Sequence, residues 1–147
     1  MSDGRTYPTR PFLAVSAAIL RDGKVLVVRR ARAPANGVFS LPGGVVEAGE
    51  TLTEAVKREI DEETALAIDP VALAGYREVV ARDADGKVER HFVILPFAAR
   101  WIAGEPELNE ELSEWQWVDP AEVAALPTTP GLAEIVANAV EQLKAAG

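Results

Sequence analysis

The chain has 147 residues, enough for one domain with a sizeable core, and its apolar (48%) and charged (26%) fractions are ordinary for a globular protein. Asp and Glu outnumber Lys and Arg by 23 to 15, a formal net charge of −8. That argues against a nucleic-acid partner, which needs a basic surface to displace counterions from phosphate. With no cysteine, disulfides, thiolate metal sites and cysteine nucleophiles are excluded, and a single histidine, His91, excludes a histidine cluster. A metal site would have to use oxygen ligands, which favours Mg2+, Mn2+ or Ca2+.

Residues 1–11 read as an irregular lead-in containing Gly4, Pro8 and Pro11. Phe12 to Leu20 is the longest apolar stretch, too short to span a bilayer. Asp22-Gly23 and a second β-type run, Val25 to Arg30, follow it and predict a hairpin. No membrane partner and a cytoplasmic location are therefore expected. Ala33 to Gly37 reads as a loop and Val38 to Leu41 as a short strand that Pro42-Gly43-Gly44 breaks. Thr51 to about Ala65 is a helix, with Thr51 and Glu54 spaced as a capping box.

Val71 to Arg82 and Val88 to Trp101 read as two long β-segments joined by a turn at Asp83-Ala84-Asp85-Gly86. Pro96 lacks a ladder donor and is expected at an edge or a bulge. Trp115 to Val118 is a short strand; its two tryptophans, Trp115 and Trp117, are expected on opposite faces, one in the core and one on a pocket wall. A short helix opens at Asp119 or Pro120, and Gly131 to Ala146 is a final amphipathic helix. That helix could pack on its own sheet or on a second copy, so a homodimer is one alternative. The order of elements predicts a single α/β domain with a mixed sheet.

The Thr51–Ala65 helix carries the chemistry. At 100° per residue, Leu52, Ala55 and Val56 share one face, and Glu59 and Glu63 continue that stripe toward the protein body with Glu62 beside them. Lys57 and Asp61 fall on the outer side, and Arg58 is expected to project sideways. Carboxylates about 5 Å apart repel by roughly 3 kcal/mol per pair at an effective dielectric near 20. Turned inward, they need raised pKa values or a cation. The preceding loop adds Glu47 and Glu50, and Gly43-Gly44 allows close approach of the backbone.

Gly44, five residues, Glu50, seven residues, Arg58-Glu59-Ile60, one residue, Glu62-Glu63, one residue and Ala65-Leu66 together resemble the Nudix box. One position departs: Ala65 stands where the family has Gly. Phe39-Ser40-Leu41-Pro42-Gly43 and Glu111-x-x-Glu114-x-x-Trp117 are also similar to the family. The resemblance implies an α/β/α sandwich with a mixed central sheet over residues 1–147. It implies that Glu59, Glu62 and Glu63 bind Mg2+, with Mn2+ as the alternative, helped by the Gly43 carbonyl. Glu50 and Arg58 would form a structural salt bridge. A distal acid would complete the catalytic set: Glu111 first, with Glu107, Glu110 and Glu114 as alternatives. Ala65 would sit at a positive φ that costs it about 1 kcal/mol.

The implied reaction is metal-dependent hydrolysis of a phosphoanhydride, with water attacking phosphorus in line. The leading substrate is a nucleoside diphosphate linked to another moiety, as in ADP-ribose. The alternatives are a nucleoside triphosphate pyrophosphohydrolase and a non-catalytic nucleotide-binding Nudix module. From the residues themselves, Arg29, Arg30 and Arg32 could meet substrate phosphates, Phe39 could stack on a base, and His91 could touch substrate.

Overall fold

The computed structural model describes residues 4–31 and 37–147; Arg32 and most of the loop expected over residues 33–37 lie outside them. β1 (Phe12–Arg21) and β2 (Lys24–Arg30) form the expected hairpin. Asp22 and Gly23 close it at φ 52° and 79°, the positive values that suit a two-residue turn to the twist of its strands. Then come β3 (Phe39–Ser40), β4 (Gly43–Val45), α1 (Leu52–Thr64), β5 (Ala67–Leu73), β6 (Arg77–Arg82), β7 (Val88–Ala103) and β8 (Leu112–Val118). A 3-10 helix (Pro120–Ala125) and α2 (Leu132–Ala145) follow.

The strands form one mixed sheet. β1 and β7 run parallel at its centre, from Phe12 opposite Phe92 to Leu20 opposite Arg100. β4 pairs with β1 antiparallel over Ala14–Ser16, β8 and β3 pair with β2, and β5 and β6 both pair with β7. Successive strand residues point to opposite faces. Val15, Ala17, Ile19, Leu26, Val28, Phe97 and Ala99 pack against Ala55, Val56 and Ile60 of α1. Ala18, Val25, Val27 and Ala98 pack on the other side against Val136 and Ala139 of α2 and Val123 of the 3-10 helix. The sheet thus has a core on each face, the α/β/α sandwich expected. Double coverage is also why β1 and β2 are apolar without alternation.

Three local expectations change. Val71 to Arg82 is two strands rather than one, broken where Gly75 takes φ 130°. Pro96 lies in the central strand β7, opposite Ser16, not at an edge or bulge. Its carbonyl accepts from Ala74 N–H (2.8 Å), so the side on which it has no donor faces the break between β5 and β6. The short strand does end before Pro42, as expected, and Gly43 and Gly44 then open a new strand, β4. Trp115 and Trp117 stand opposite Val28 and Leu26, two residues apart, and a period of two puts them on one face. Trp117 packs on the α1 core, whereas Trp115 is exposed. Among the described residues no helix is long and apolar enough to cross a membrane.

The capping box at the start of α1 is formed: Thr51 Oγ1 accepts from Glu54 N–H (3.1 Å) and Glu54 Oε1 from Thr51 N–H (2.9 Å). At the other end Ala65 takes φ 62°, ψ 19°, while its N–H still donates to Asp61 (2.9 Å). A side chain with a Cβ is strained in this left-handed region, and glycine is not. Ala65→Gly should raise unfolding free energy by about 1 kcal/mol in urea titrations and leave turnover unchanged.

Candidate functional site

β4 lies against β1 so closely that a Cβ on Gly43 would run into the backbone of Val15 and Ser16, and one on Gly44 would run into the Glu59 carboxylate. The two glycines are therefore needed for space. Gly43 N–H donates to Glu63 Oε1 (2.9 Å), so β4 meets the carboxylate through the Gly43 amide. Glu63 is 2% exposed. Burial pushes its carboxyl up to about 7; the Gly43 amide and the charge of Arg30 ease this, and the charges of Glu59 and Glu111 oppose them. Burial also raises Glu59, despite Arg58 beside it, and Glu62 and Glu111 add to the rise.

Arg58 does not simply project sideways as expected. Its Nε and Nη2 donate to the two oxygens of Glu50 (2.7 and 2.9 Å), the expected loop-to-helix bridge, and Nη2 also donates to Val45 O (3.1 Å). Its Nη1 turns inward and donates to Glu59 Oε1 (2.8 Å) and Glu62 Oε2 (3.2 Å). Arg58 thus holds the acidic loop down while gathering two of the helix carboxylates. It also holds the Glu50 carboxyl down to about 2, with the Glu47 amide as second cause.

The distal segment lies across the end of α1. Glu107 N–H donates to Thr64 O (2.9 Å) and Asn109 N–H to Glu63 O (3.2 Å). Of the four distal glutamates, Glu111 is the one whose charge acts on Glu59 and Glu63, and it pairs with Arg30 at 3.6 Å. Glu114 is drawn off by Arg29 (3.5 Å) and Gln116 Nε2 (2.9 Å), and Glu107 and Glu110 are exposed.

Glu59, Glu62, Glu63, Glu111, Gly43, Glu50 and Arg58 are thus brought together; Phe39, Arg29 and His91 are not. Phe39 is 1% exposed in the α2-side core, and the Arg29 guanidinium lies 4.5 Å from its ring centre, which leaves no ring face for a base. That guanidinium is engaged with Phe39 and Glu114 rather than held out for a phosphate. His91 is half-buried on β7 opposite Val80, and its imidazole makes no hydrogen bond or ion pair with a described residue. The residues that sequence reasoning passed over are Arg30, which it did not separate from its neighbours, and Asn109. An asparagine ahead of two acids is a turn signal that could have pointed to Asn109.

The donor chemistry suits a hard divalent ion: oxygen only, with a deeply buried carboxylate amid like charges. The arrangement is not a closed cage. Among the described residues no three Asp, Glu, His or Cys side chains converge to enclose an ion as they stand, because Arg58 holds Glu59 and Glu62. A metal would have to draw those two carboxylates off Nη1.

Two opposite pH dependences follow for the metal-free protein. Glu63 has a folded pKa of about 7 against an ordinary 4.5, so the folded state binds the extra proton and stability falls as pH rises from about 4.5 through 7. Glu50 is shifted to about 2, so its contribution is present above 4.5 and is lost as pH falls toward 2. In chelator, thermal midpoints of Glu63→Gln should lose the neutral-side slope and those of Glu50→Gln the acid-side slope.

A family model described as the NUDIX domain matches residues 10–139. An ADP-ribose pyrophosphatase of Methanocaldococcus jannaschii is 38% identical over 109 residues, covering 74% of this chain. The chain spans 62% of that relative's length. The solved structure of a MutT NUDIX hydrolase from Burkholderia pseudomallei superposes with a TM-score of 0.73 at 29% identity, covering 88% of this chain and 98% of that one. The NUDIX domain of Shewanella oneidensis NrtR, solved with ADP ribose, gives 0.71 at 25% identity, covering 92% and 90%. With its box carboxylates gathered at the end of α1 and β4, the chain belongs to the Nudix hydrolase family.

Proposed function

We propose that this chain is a Mg2+-dependent pyrophosphohydrolase that cleaves the diphosphate bond of a nucleoside diphosphate linked to another moiety, with ADP-ribose-like compounds as its substrate class. The observation that carries this reading is the buried Glu63 carboxylate on the Gly43 amide, with Glu59, Glu62 and Glu111 around it. Glu59, Glu62 and Glu63 would hold the metal, which when bound supplies charge neutralisation and an acidified water. The remaining work belongs to the chain itself. The Glu50–Arg58 bridge keeps the acidic loop from swinging into the site. Gly44 leaves the Glu59 carboxylate its room. Glu111, fixed at its backbone and half-exposed at its carboxylate, can accept a proton from an attacking water or join the ligands. Arg30 supplies positive charge beside these acids, which a chain of net charge −8 needs when it receives an anionic substrate.

The named Methanocaldococcus relative and the ADP-ribose complex of the NrtR domain support the substrate class. A Mg2+-supplemented nucleotide panel with chromatographic separation tests it. AMP with ribose phosphate from ADP-ribose is the expected product pair. A nucleoside monophosphate with pyrophosphate would replace this reading by triphosphate hydrolysis, and binding without turnover would make the chain a binding module. Glu59→Gln and Glu63→Gln should each lower Mg2+-dependent kcat by about a hundredfold or more, because even outer partners of metal ligands are worth 10–100-fold. Near-normal rates in both variants would refute the ligand assignment.

A further inference from the structure

We propose that Asn109 is a positioning residue that sets Glu111 against the carboxylates of α1; this rests on the metal-site reading above. Glu111 is about half-exposed and its carboxylate pairs with Arg30 at 3.6 Å, so among the described residues its side chain is held loosely. What places it is its backbone. Asn109 makes three hydrogen bonds around it, one of them to the Glu111 backbone itself. Its N–H donates to the carbonyl of Glu63 (3.2 Å), which ties it to the residue that carries the most buried carboxylate. Its side-chain Oδ1 accepts from Glu111 N–H (3.0 Å), and its own carbonyl accepts from Leu112 N–H (3.3 Å). One residue thus joins the backbone of Glu63 to that of Glu111.

The surroundings make this joint directional. Leu112 is buried in the α1-side core and pairs with Arg30, so the chain just beyond Glu111 is fixed. Ala31 N–H donates to Glu111 O (2.9 Å), anchoring the Glu111–Leu112 peptide that follows. Asn109 supplies the remaining constraint, an Asx turn, for which a short side-chain oxygen is needed and alanine provides none. Losing it removes one exposed hydrogen bond, a small cost to the fold. It also frees the Glu110–Glu111 peptide to rotate, which for a group meant to meet a metal or water within a few tenths of an ångström is a large cost to function.

Mn2+ binding followed by electron paramagnetic resonance of the free ion tests this without any substrate. Asn109→Ala should weaken Mn2+ by about tenfold or more with an unchanged thermal midpoint. Asn109→Ser, which keeps an oxygen acceptor and adds no charge, should recover most of the loss. Glu111→Gln should also weaken Mn2+, and adding Asn109→Ala to it should cost nothing further, because the two act as one unit. Unchanged Mn2+ binding in Asn109→Ala overturns the proposal. So does full additivity in the double variant, which would place the effect of Asn109 in the helix end instead. A wild-type chain that binds no Mn2+ at all overturns the metal-site reading itself, and this inference with it.

Discussion

Glu63 places a carboxylate at 2% exposure between a helix and the central sheet, where an uncompensated charge costs several kcal/mol. Much of the surrounding architecture answers that cost. β4 brings a backbone amide to the carboxylate, which requires Gly43 because any side chain there would strike β1. Gly44 leaves space for the next acid, Glu59. The charge of Arg30, at the end of β2, favours the ionised Glu63, and Arg58 gathers Glu59 and Glu62 from within α1. These contacts reduce the penalty without removing it: both Glu59 and Glu63 stay above their ordinary pKa range. A site in that condition is poised for a stronger cation than arginine.

The sandwich makes such a site affordable to the fold. Its cores lie on both faces of the sheet, so most of the packing of β1, β2 and β7 lies away from the acidic end of α1. Ala55, Val56 and Ile60 anchor the helix in the core beside β1, β4 and β5 while Glu62 and Glu63 occupy its last turn. The capping box fixes where the helix begins, and the left-handed Ala65 turns the chain into β5 after Thr64. Between those two ends the positions of Glu59, Glu62 and Glu63 follow from helix geometry alone.

The distal segment contributes through main chain more than side chain. Two of its amides donate to carbonyls of the last turn of α1, which satisfies acceptors that a helix C-terminus otherwise leaves open. The same bonds hold an acidic stretch beside an acidic helix. Without them the repulsion among Glu59, Glu62, Glu63 and Glu111 would favour separation.

The sequence by itself determined what depends on near neighbours. Asp22-Gly23 specified the hairpin, Thr51 and Glu54 the start of α1, and the 3.6-residue period the inward turn of Glu59 and Glu63; spacing within the box was enough to name the family. Only the tertiary structure decided what depends on segments distant in the chain. Phe39 became core because the α2-side layer closes over it, and Pro96 became central because the break between β5 and β6 falls beside it. Glu111 differs from three similar acids in its pair with Arg30 and its backbone bond to the Asn109 side chain, both set by how the distal segment lies. Arg58 acquired its inward arm because β4 and the acidic loop occupy its other nitrogens. Helix caps, turns and periodicity act over a few residues and can be read along the chain. Which far segment fills a given space is settled only when the sheet closes, since every strand and both helices compete for the same two faces.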